Sequence, residues 1–365
     1  MENKKINILF MSSFGSLQGG GQRSLLLLLK YLDKSKFTSF VAVPDSGELS
    51  EAVSGLGVKV FVISLPRLRS LNIFRTIDSI YRLFLICREY KIDIIHTDAP
   101  RQTLYAALIK RFLKISLILH LRVTDTVGWI DKLIYPFTDK MIAVSVAVSY
   151  RFDFAHNFKD KVKVVYNAVD LEEYQMQDIP SPRPKLVAGY FGRIARRKGI
   201  EVLIKAVKRI PDQVKLIITG SGDLQYLKEL KLLCIGIKLE DIEFCEYHKN
   251  VIKEINNCDV IVLPSIKGEG LSRVIIEAMA LGKVAIVSDL AENKEALGDE
   301  LNEFIFPQGD DQALFLIIDK IIKNREILIL KRNLLRKRAE EFFNAAKNTK
   351  QIENIYDELI SARKN

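Results

Sequence analysis

Histidine, cysteine and tryptophan are scarce in this chain of 365 residues, which holds four, four and one of them. The cysteines, Cys87, Cys234, Cys245 and Cys258, form no C-x-x-C pair, and the histidines, His96, His120, His156 and His248, are scattered. That pattern supports neither a zinc site nor a disulfide framework, so no metal is expected. Long apolar runs are missing too. The richest stretch, SLLLLLKYL from Ser24 to Leu32, falls short of the roughly 18 uncharged residues of a spanning helix. The opening MENKKINILFMSS lacks the longer apolar segment and small-residue cleavage site of a signal peptide. It reads as a first buried strand, and the protein is expected in the cytoplasm. Also absent are G-x-G-x-x-G and a glycine-rich loop ending in G-K-S or G-K-T, which leaves no dinucleotide fingerprint and no P-loop.

What is present suits a packed protein. Hydrophobic residues make up 48% and charged residues 27%, and the length allows two domains. The net charge of +10 is unevenly placed. Residues 1–165 hold 24 Lys and Arg against 14 Asp and Glu, whereas residues 166–365 hold 31 of each. A basic first half attracts nucleic acid, anionic lipid or an anionic small substrate. Within it, Leu65–Lys91 and Lys110–Lys114 (KRFLK) interleave basic with apolar residues, as a membrane-surface face does. An amphipathic helix packed on a sheet has the same pattern.

Short apolar runs rich in β-branched residues alternate with helix-length segments. Strands are expected at Ile6–Met11, Phe37–Val43, Val58–Ser64, Ile92–Thr97, Ile115–Leu121, Lys140–Ser145 and Val162–Asn167. The rhythm breaks at Asp170–Lys185, where three prolines in five residues suit neither helix nor central strand. This segment reads as an interdomain linker. Strands resume at Lys185–Gly192, Val214–Gly220, Ile242–Tyr247, Asp259–Ser265, Lys283–Asp289 and Glu303–Pro307. The alternation predicts an α/β protein of two doubly wound, Rossmann-like domains facing a central cleft.

Three stretches carry chemistry. Gly19, Gly20 and Gly21 lie between the first strand and a helix, where close backbone approach and a helix N-terminus suit a pyrophosphate or a developing oxyanion. A flexible turn would look the same. GRIARRKG, Gly192–Gly199, follows the first strand of the second domain and offers Arg193 and Lys198, a planar fork and a compact charge, to a diphosphate. GEGLSRVIIEAMALG, Gly268–Gly282, places Glu269 in a loop at a strand end and Glu277 inside an apolar helix. The amides of Gly270, Leu271 and Ser272 precede that helix and suit phosphate. A carboxylate among Val274, Ile275, Ile276, Ala278 and Met279 is costly without partners, and two ribose hydroxyls would be good ones.

Together these stretches resemble the retaining glycosyltransferases of family 4, which have the GT-B fold, over nearly the whole chain. PSIKGEGLSRVIIEAMALGKVAIVSD matches that family's paired glutamates after a Pro-Ser strand end, and GRIARRKG matches its G-R-x-x-x-x-K-G. VVYNAVD, Val164–Asp170, is similar to its Tyr-Asn-Gly-Val-Asp, with Ala168 for Gly, and ITGSGD, Ile218–Asp223, to its Gly-x-Gly turn. His120 matches a histidine near the reacting sugar. The family often follows it with Asp, where this chain has Leu121 and Arg122. In SDLAENKEAL, Ala291, Glu292 and Asn293 replace a usual Gly-Gly region.

The resemblance implies an acceptor domain at residues 1–172, a donor domain at 173–345, and a final helix at 346–365 crossing back. It implies a nucleotide-diphosphate sugar as donor, no cofactor, and configuration retained. His120, Glu269, Arg193 and Lys198 would be catalytic. Gly19, Gly20, Gly21, Arg193, Lys198, Gly270, Leu271, Ser272 and Glu277 would bind the donor. A lipid-linked or oligosaccharide acceptor, used in cell-surface polysaccharide or glycolipid assembly, suits the basic first domain, which would sit on the inner membrane face. No nucleic-acid partner is expected. The rival readings are a Rossmann dehydrogenase with Asp45 on a ribose, a nucleotide-sugar epimerase of the same fold, and a non-catalytic sugar-nucleotide-binding relative.

Overall fold

The structure, a computed structural model, describes residues 4–17, 19–66, 73–126, 128–178, 183–246, 250–268 and 270–364. Two compact units account for the chain. One is Met1–Ala168 with Ala345–Asn365, and the other is Val169–Asn344.

The first unit holds seven parallel strands: β1 (Ile6–Met11), β2 (Phe37–Val43), β3 (Lys59–Val62), β4 (Ile94–Thr97), β5 (Ser116–Leu121), β6 (Lys140–Ala143) and β7 (Val162–Val164). They pair in the order β3-β2-β1-β4-β5-β6-β7. Strand side chains alternate between faces, so both faces of β1 are apolar and both are covered. Ile8 and Phe10 pack beneath the helices Gly20–Tyr31 and Ala345–Lys364, with Leu25, Leu29, Ile355 and Tyr356. Leu9 and Met11 pack on the other face with Leu83, Cys87 and Tyr105. The final helix is tied in by polar contacts as well. Asp33 N–H donates to Glu353 at 2.8 Å, and Asn348 donates to the Tyr166 carbonyl at 3.0 Å.

The second unit holds six parallel strands: β8 (Leu186–Phe191), β9 (Val214–Thr219), β10 (Ile242–Cys245), β11 (Val260–Leu263), β12 (Val284–Ser288) and β13 (Ile305–Phe306). Their order is β10-β9-β8-β11-β12-β13. Every expected strand exists; β1 and β2 match their expected spans, and the others are one to three residues shorter, trimmed at either end. The segment read as linker differs more. Residues 170–178 fold onto the second unit. The Asp170 carboxylate accepts the Glu172 and Glu173 amides at 3.0 and 3.4 Å, and Tyr174 is buried. Pro180 and Pro182 lie outside the described residues. Among the described residues, no helix is long and apolar enough to cross a membrane.

One glycine shows how tightly the loops at the strand ends are built. Gly199 has φ +60°, and a Cβ there would lie 2.2 Å from the Pro264 carbonyl oxygen. Gly199→Ala combines left-handed strain with a backbone clash and is expected to cost about 2 kcal/mol or more. A lowered urea midpoint at unchanged slope is the expected result. An unchanged midpoint would show that the loop gives way freely.

Candidate active site

In an open parallel sheet, ligands bind where successive crossovers leave the sheet in opposite directions. In the second unit this point lies between β8 and β11, which pair at Val260–Ala188 and Ile261–Gly189. The loop after β8 is fastened to the loop after β9 by three backbone bonds: Gly192 N–H to Thr219, Ile194 N–H to Ser221, and Asp223 N–H to Ile194. Gly220 and Gly222 permit this approach. A Cβ on either would stand 1.8 or 2.2 Å from the carbonyl oxygens of Gly192 and Ile194. Arg193 is exposed, and its carbonyl accepts the Tyr190 hydroxyl at 2.8 Å.

The chain then turns through Arg196–Lys198, and Lys198 is only 8% exposed. Ile266 N–H donates to the Arg197 carbonyl at 2.9 Å, and the Arg197 guanidinium donates to the Gly268 carbonyl at 2.5 Å. The basic loop and the loop after β11 therefore lie side by side. Gly270 and Leu271 are buried. Ser272 caps the helix Arg273–Ala280 without a side-chain hydrogen bond to its first turn. Glu277, 4% exposed, takes Arg273 Nε at 3.2 Å and Nη2 at 3.1 Å, both on Oε1. Arg193, Lys198, Gly270, Leu271, Ser272 and Glu277 thus gather at one end of one sheet. Glu269 lies outside the described residues.

The first unit has its own switch point, between β1 and β4. Ser13 donates to Asp98 from its amide at 3.1 Å and its hydroxyl at 2.5 Å, which ties the two strand ends together. Gly19 caps the helix Gly20–Tyr31. Arg122 lies across that helix start, and a Cβ on Gly21 would be 3.1 Å from its Cδ. His120, near the end of β5, is buried. Its Nδ1 is 3.1 Å from His96 Nε2, and His96 Nδ1 is 2.6 Å from the Tyr356 hydroxyl. His120 also walls a cavity of about 30 Å³ with Ser24, Asn167 and Asn348. Gly19, Gly20, Gly21 and His120 therefore belong to the first unit and the other described site residues to the second.

The sequence matches Glycosyltransferase Family 4 over residues 18–173 and Glycosyl transferases group 1 over residues 172–346. The chain belongs to glycosyltransferase family 4. Its relatives include the capsular polysaccharide biosynthesis glycosyltransferase CapM of Staphylococcus aureus, 22% identical over 91% of this chain and 93% of that protein. Another is the UDP-Gal:alpha-D-GlcNAc-diphosphoundecaprenol alpha-1,3-galactosyltransferase of Escherichia coli, 24% identical over 94% and 95%. Among solved structures, Anabaena HepE in complex with UDP and glucose superimposes with a TM-score of 0.83 at 23% identity, covering 96% of this chain and 99% of that one. The fold is GT-B, with two Rossmann-like α/β domains, and the dehydrogenase reading falls.

Sequence reasoning passed over several residues of this glycosyltransferase. Arg273 stands inside a quoted motif without a role, and Arg197 counts only as one of the loop's basic set, Arg193, Arg196, Arg197 and Lys198, offered to a diphosphate. Asp98, His96 and Tyr356 were not singled out, and Arg122 was weighed only as a departure from His-Asp. The one available signal was that His96 and His120 close neighbouring strands. In register, His96 faces Ile118, so both imidazoles point to the same side of the sheet.

Burial dominates the electrostatics here. It lowers the pKa of His96 to about 3, and the Arg122 charge acts the same way. Burial, Arg122 and then His96 hold His120 well below its ordinary value. Burial raises Asp98 against the bonds from Ser13 and the pull of Arg122. Both imidazoles are therefore neutral at neutral pH.

An unfolded histidine binds its proton near pH 6.5, but His96 in the folded protein does so only near pH 3. Below pH 6.5 the unfolded chain binds more protons, so stability falls with pH by up to about 1.4 kcal/mol per pH unit for such a group. Against the wild type, His96→Gln is expected to flatten the fall in urea midpoint from pH 6.5 down to about pH 4. Identical slopes would show that His96 is not held neutral.

Proposed function

We propose that this glycosyltransferase moves a sugar from a nucleoside-diphosphate sugar to a lipid-linked or saccharide acceptor, with retention of configuration, in cell-surface polysaccharide or glycolipid assembly. The observation that carries the reading is the pairing of two loops at the β8–β11 switch point. They set a buried lysine, an exposed arginine and a helix N-terminus together, with a buried carboxylate one turn farther on. Cations and amides suit a diphosphate. Glu277, with Arg273 on one oxygen, suits a pair of ribose hydroxyls. UDP is the first nucleotide to try, because HepE was crystallised with it.

In the proposed reaction, the bond between the anomeric carbon and the diphosphate oxygen breaks, and the acceptor hydroxyl attacks from the same face. The leaving diphosphate takes the acceptor proton. Arg193 and Lys198 stabilise the charge growing on that leaving group, so no metal or other cofactor is required. Glu269 accepts from hydroxyls of the transferred sugar, Gly270–Ser272 and Gly19–Gly21 contribute amides, and His120 meets the sugar near its reacting carbon.

The acceptor reading draws on the named acceptors of the relatives and on one face of the first unit. On the helix Ile73–Glu89, Phe74 is 82% exposed, and Ile77, Tyr81 and Leu85 continue its stripe. Phe112, after the helix Pro100–Lys110, is 76% exposed, and Arg75, Arg82 and Arg111, next in sequence to Phe74, Tyr81 and Phe112, are exposed too. Apolar side chains flanked by arginines suit the anionic inner face of a membrane.

Nucleotide binding, transfer and vesicle sedimentation test these readings. UDP should raise the melting temperature of the wild type without Mg²⁺, and Glu277→Ala should abolish that shift. Lys198→Ala should slow transfer by about 10²–10³-fold. Full activity in either variant, or an inverted anomeric centre in the product by NMR, contradicts the proposal. Separately, Phe74→Glu with Ile77→Glu should reduce sedimentation with vesicles containing phosphatidylglycerol and leave the melting temperature nearly unchanged. Undiminished sedimentation would remove this face from the membrane reading.

A further inference from the structure

We infer that Tyr356, acting through His96, sets which nitrogen of His120 carries the proton, so that His120 presents an Nε2–H donor to the substrate. The inference deepens the proposed function and rests on it for the identity of that substrate. Its physical basis is a row of three buried groups. The Tyr356 hydroxyl is 2.6 Å from His96 Nδ1, and His96 Nε2 is 3.1 Å from His120 Nδ1. Tyr356, His96 and His120 are 0, 4 and 6% exposed.

A neutral imidazole has one N–H and one lone pair, so the row has two consistent settings. In the first, Tyr356 donates to His96 Nδ1, His96 Nε2–H donates to His120 Nδ1, and the His120 proton sits on Nε2. In the second, His120 Nδ1–H donates to His96 Nε2, and His96 Nδ1–H donates to the tyrosine oxygen. The tyrosine hydrogen then needs another acceptor. Among the described residues, the Tyr356 hydroxyl has His96 as its hydrogen-bond partner and no other. A buried hydroxyl hydrogen left without an acceptor disfavours the second setting by about 10- to 100-fold. The first setting prevails. A charged imidazole in either position is resisted by burial and by Arg122.

The consequence is chemical. No hydrogen bond to His120 Nε2 occurs among the described residues, so that N–H remains for a ligand oxygen. With its proton there, His120 donates to a lone pair, such as a hydroxyl or ring oxygen of the transferred sugar. It has no bare nitrogen on that side with which to take the acceptor's proton. Tyr356 and His96 are then positioning residues, and Tyr356 comes from the last helix of the chain.

The test is ¹⁵N NMR of histidine-labelled full-length protein: wild type, Tyr356→Phe, and Ile355→Val as a packing control on the same helix. His120→Asn and His96→Asn spectra assign the signals. The expected result is a wild-type His120 protonated at Nε2, a Tyr356→Phe variant that loses this preference, and an Ile355→Val variant that keeps it. A wild-type His120 protonated at Nδ1, or an unchanged tautomer in Tyr356→Phe, overturns the inference. UDP melting shifts recorded on the same samples report on the donor reading alone, so failure of that reading is seen separately.

Discussion

Every strand pairing in both sheets is parallel, and that constraint places the chemistry. Parallel strands release their chain at the same edge, and each return passes through a helix that starts there. Strand-end side chains, loop carbonyls and helix N-termini therefore collect at one end of each sheet. At the switch points, between β1 and β4 and between β8 and β11, neighbouring crossovers part and leave room for a ligand. The paired loops of the second unit and the Ser13–Asp98 tie of the first are two uses of the same geometry.

Charges buried at such an edge are costly, and this chain treats them in two ways. Arg151 and Asp131, 3 and 1% exposed, form a closed pair in which both carboxylate oxygens are taken, at 3.1 and 3.0 Å. That pair fastens the first unit internally. Glu277 is equally buried, yet Arg273 reaches only Oε1. Lys198 is buried in a turn that the Gly199–Pro264 approach and the Arg197–Gly268 bond hold in place. A closed pair satisfies itself, whereas a carboxylate engaged on one oxygen keeps capacity for hydroxyls.

The strands were legible because a parallel strand covered on both faces reads as a continuous apolar run, as in FVAV before Pro44 or VIVL before Pro264. The loops after them were legible by position, as glycine-containing turns between a strand end and the next helix. The linker reading rests on the three prolines at 180–184, but they say nothing of residues 170–178 before them, which Asp170 folds by accepting backbone amides. The row of His120, His96 and Tyr356 was out of reach for a different reason. Tyr356 is 260 residues from His96, and no spacing rule joins a helix residue to strand ends so distant. Arg122 was visible in sequence, but its meaning depends on which groups its charge reaches.

Those groups are His96, His120, Asp98 and Tyr356. An aspartate beside His120, as the family resemblance leads one to expect, would favour an imidazolium and make its charge depend on pH. An arginine does the opposite. It adds to burial in keeping both imidazoles neutral, and it carries the positive charge itself, on a group that does not titrate. The positive charge near the start of the helix Gly20–Tyr31 thus sits on Arg122 and not on His120. In the proposed reaction the leaving diphosphate is the base, so a histidine able to exchange protons would compete with it. A neutral His120 whose proton is fixed by neighbours can orient a sugar oxygen without entering the proton transfer.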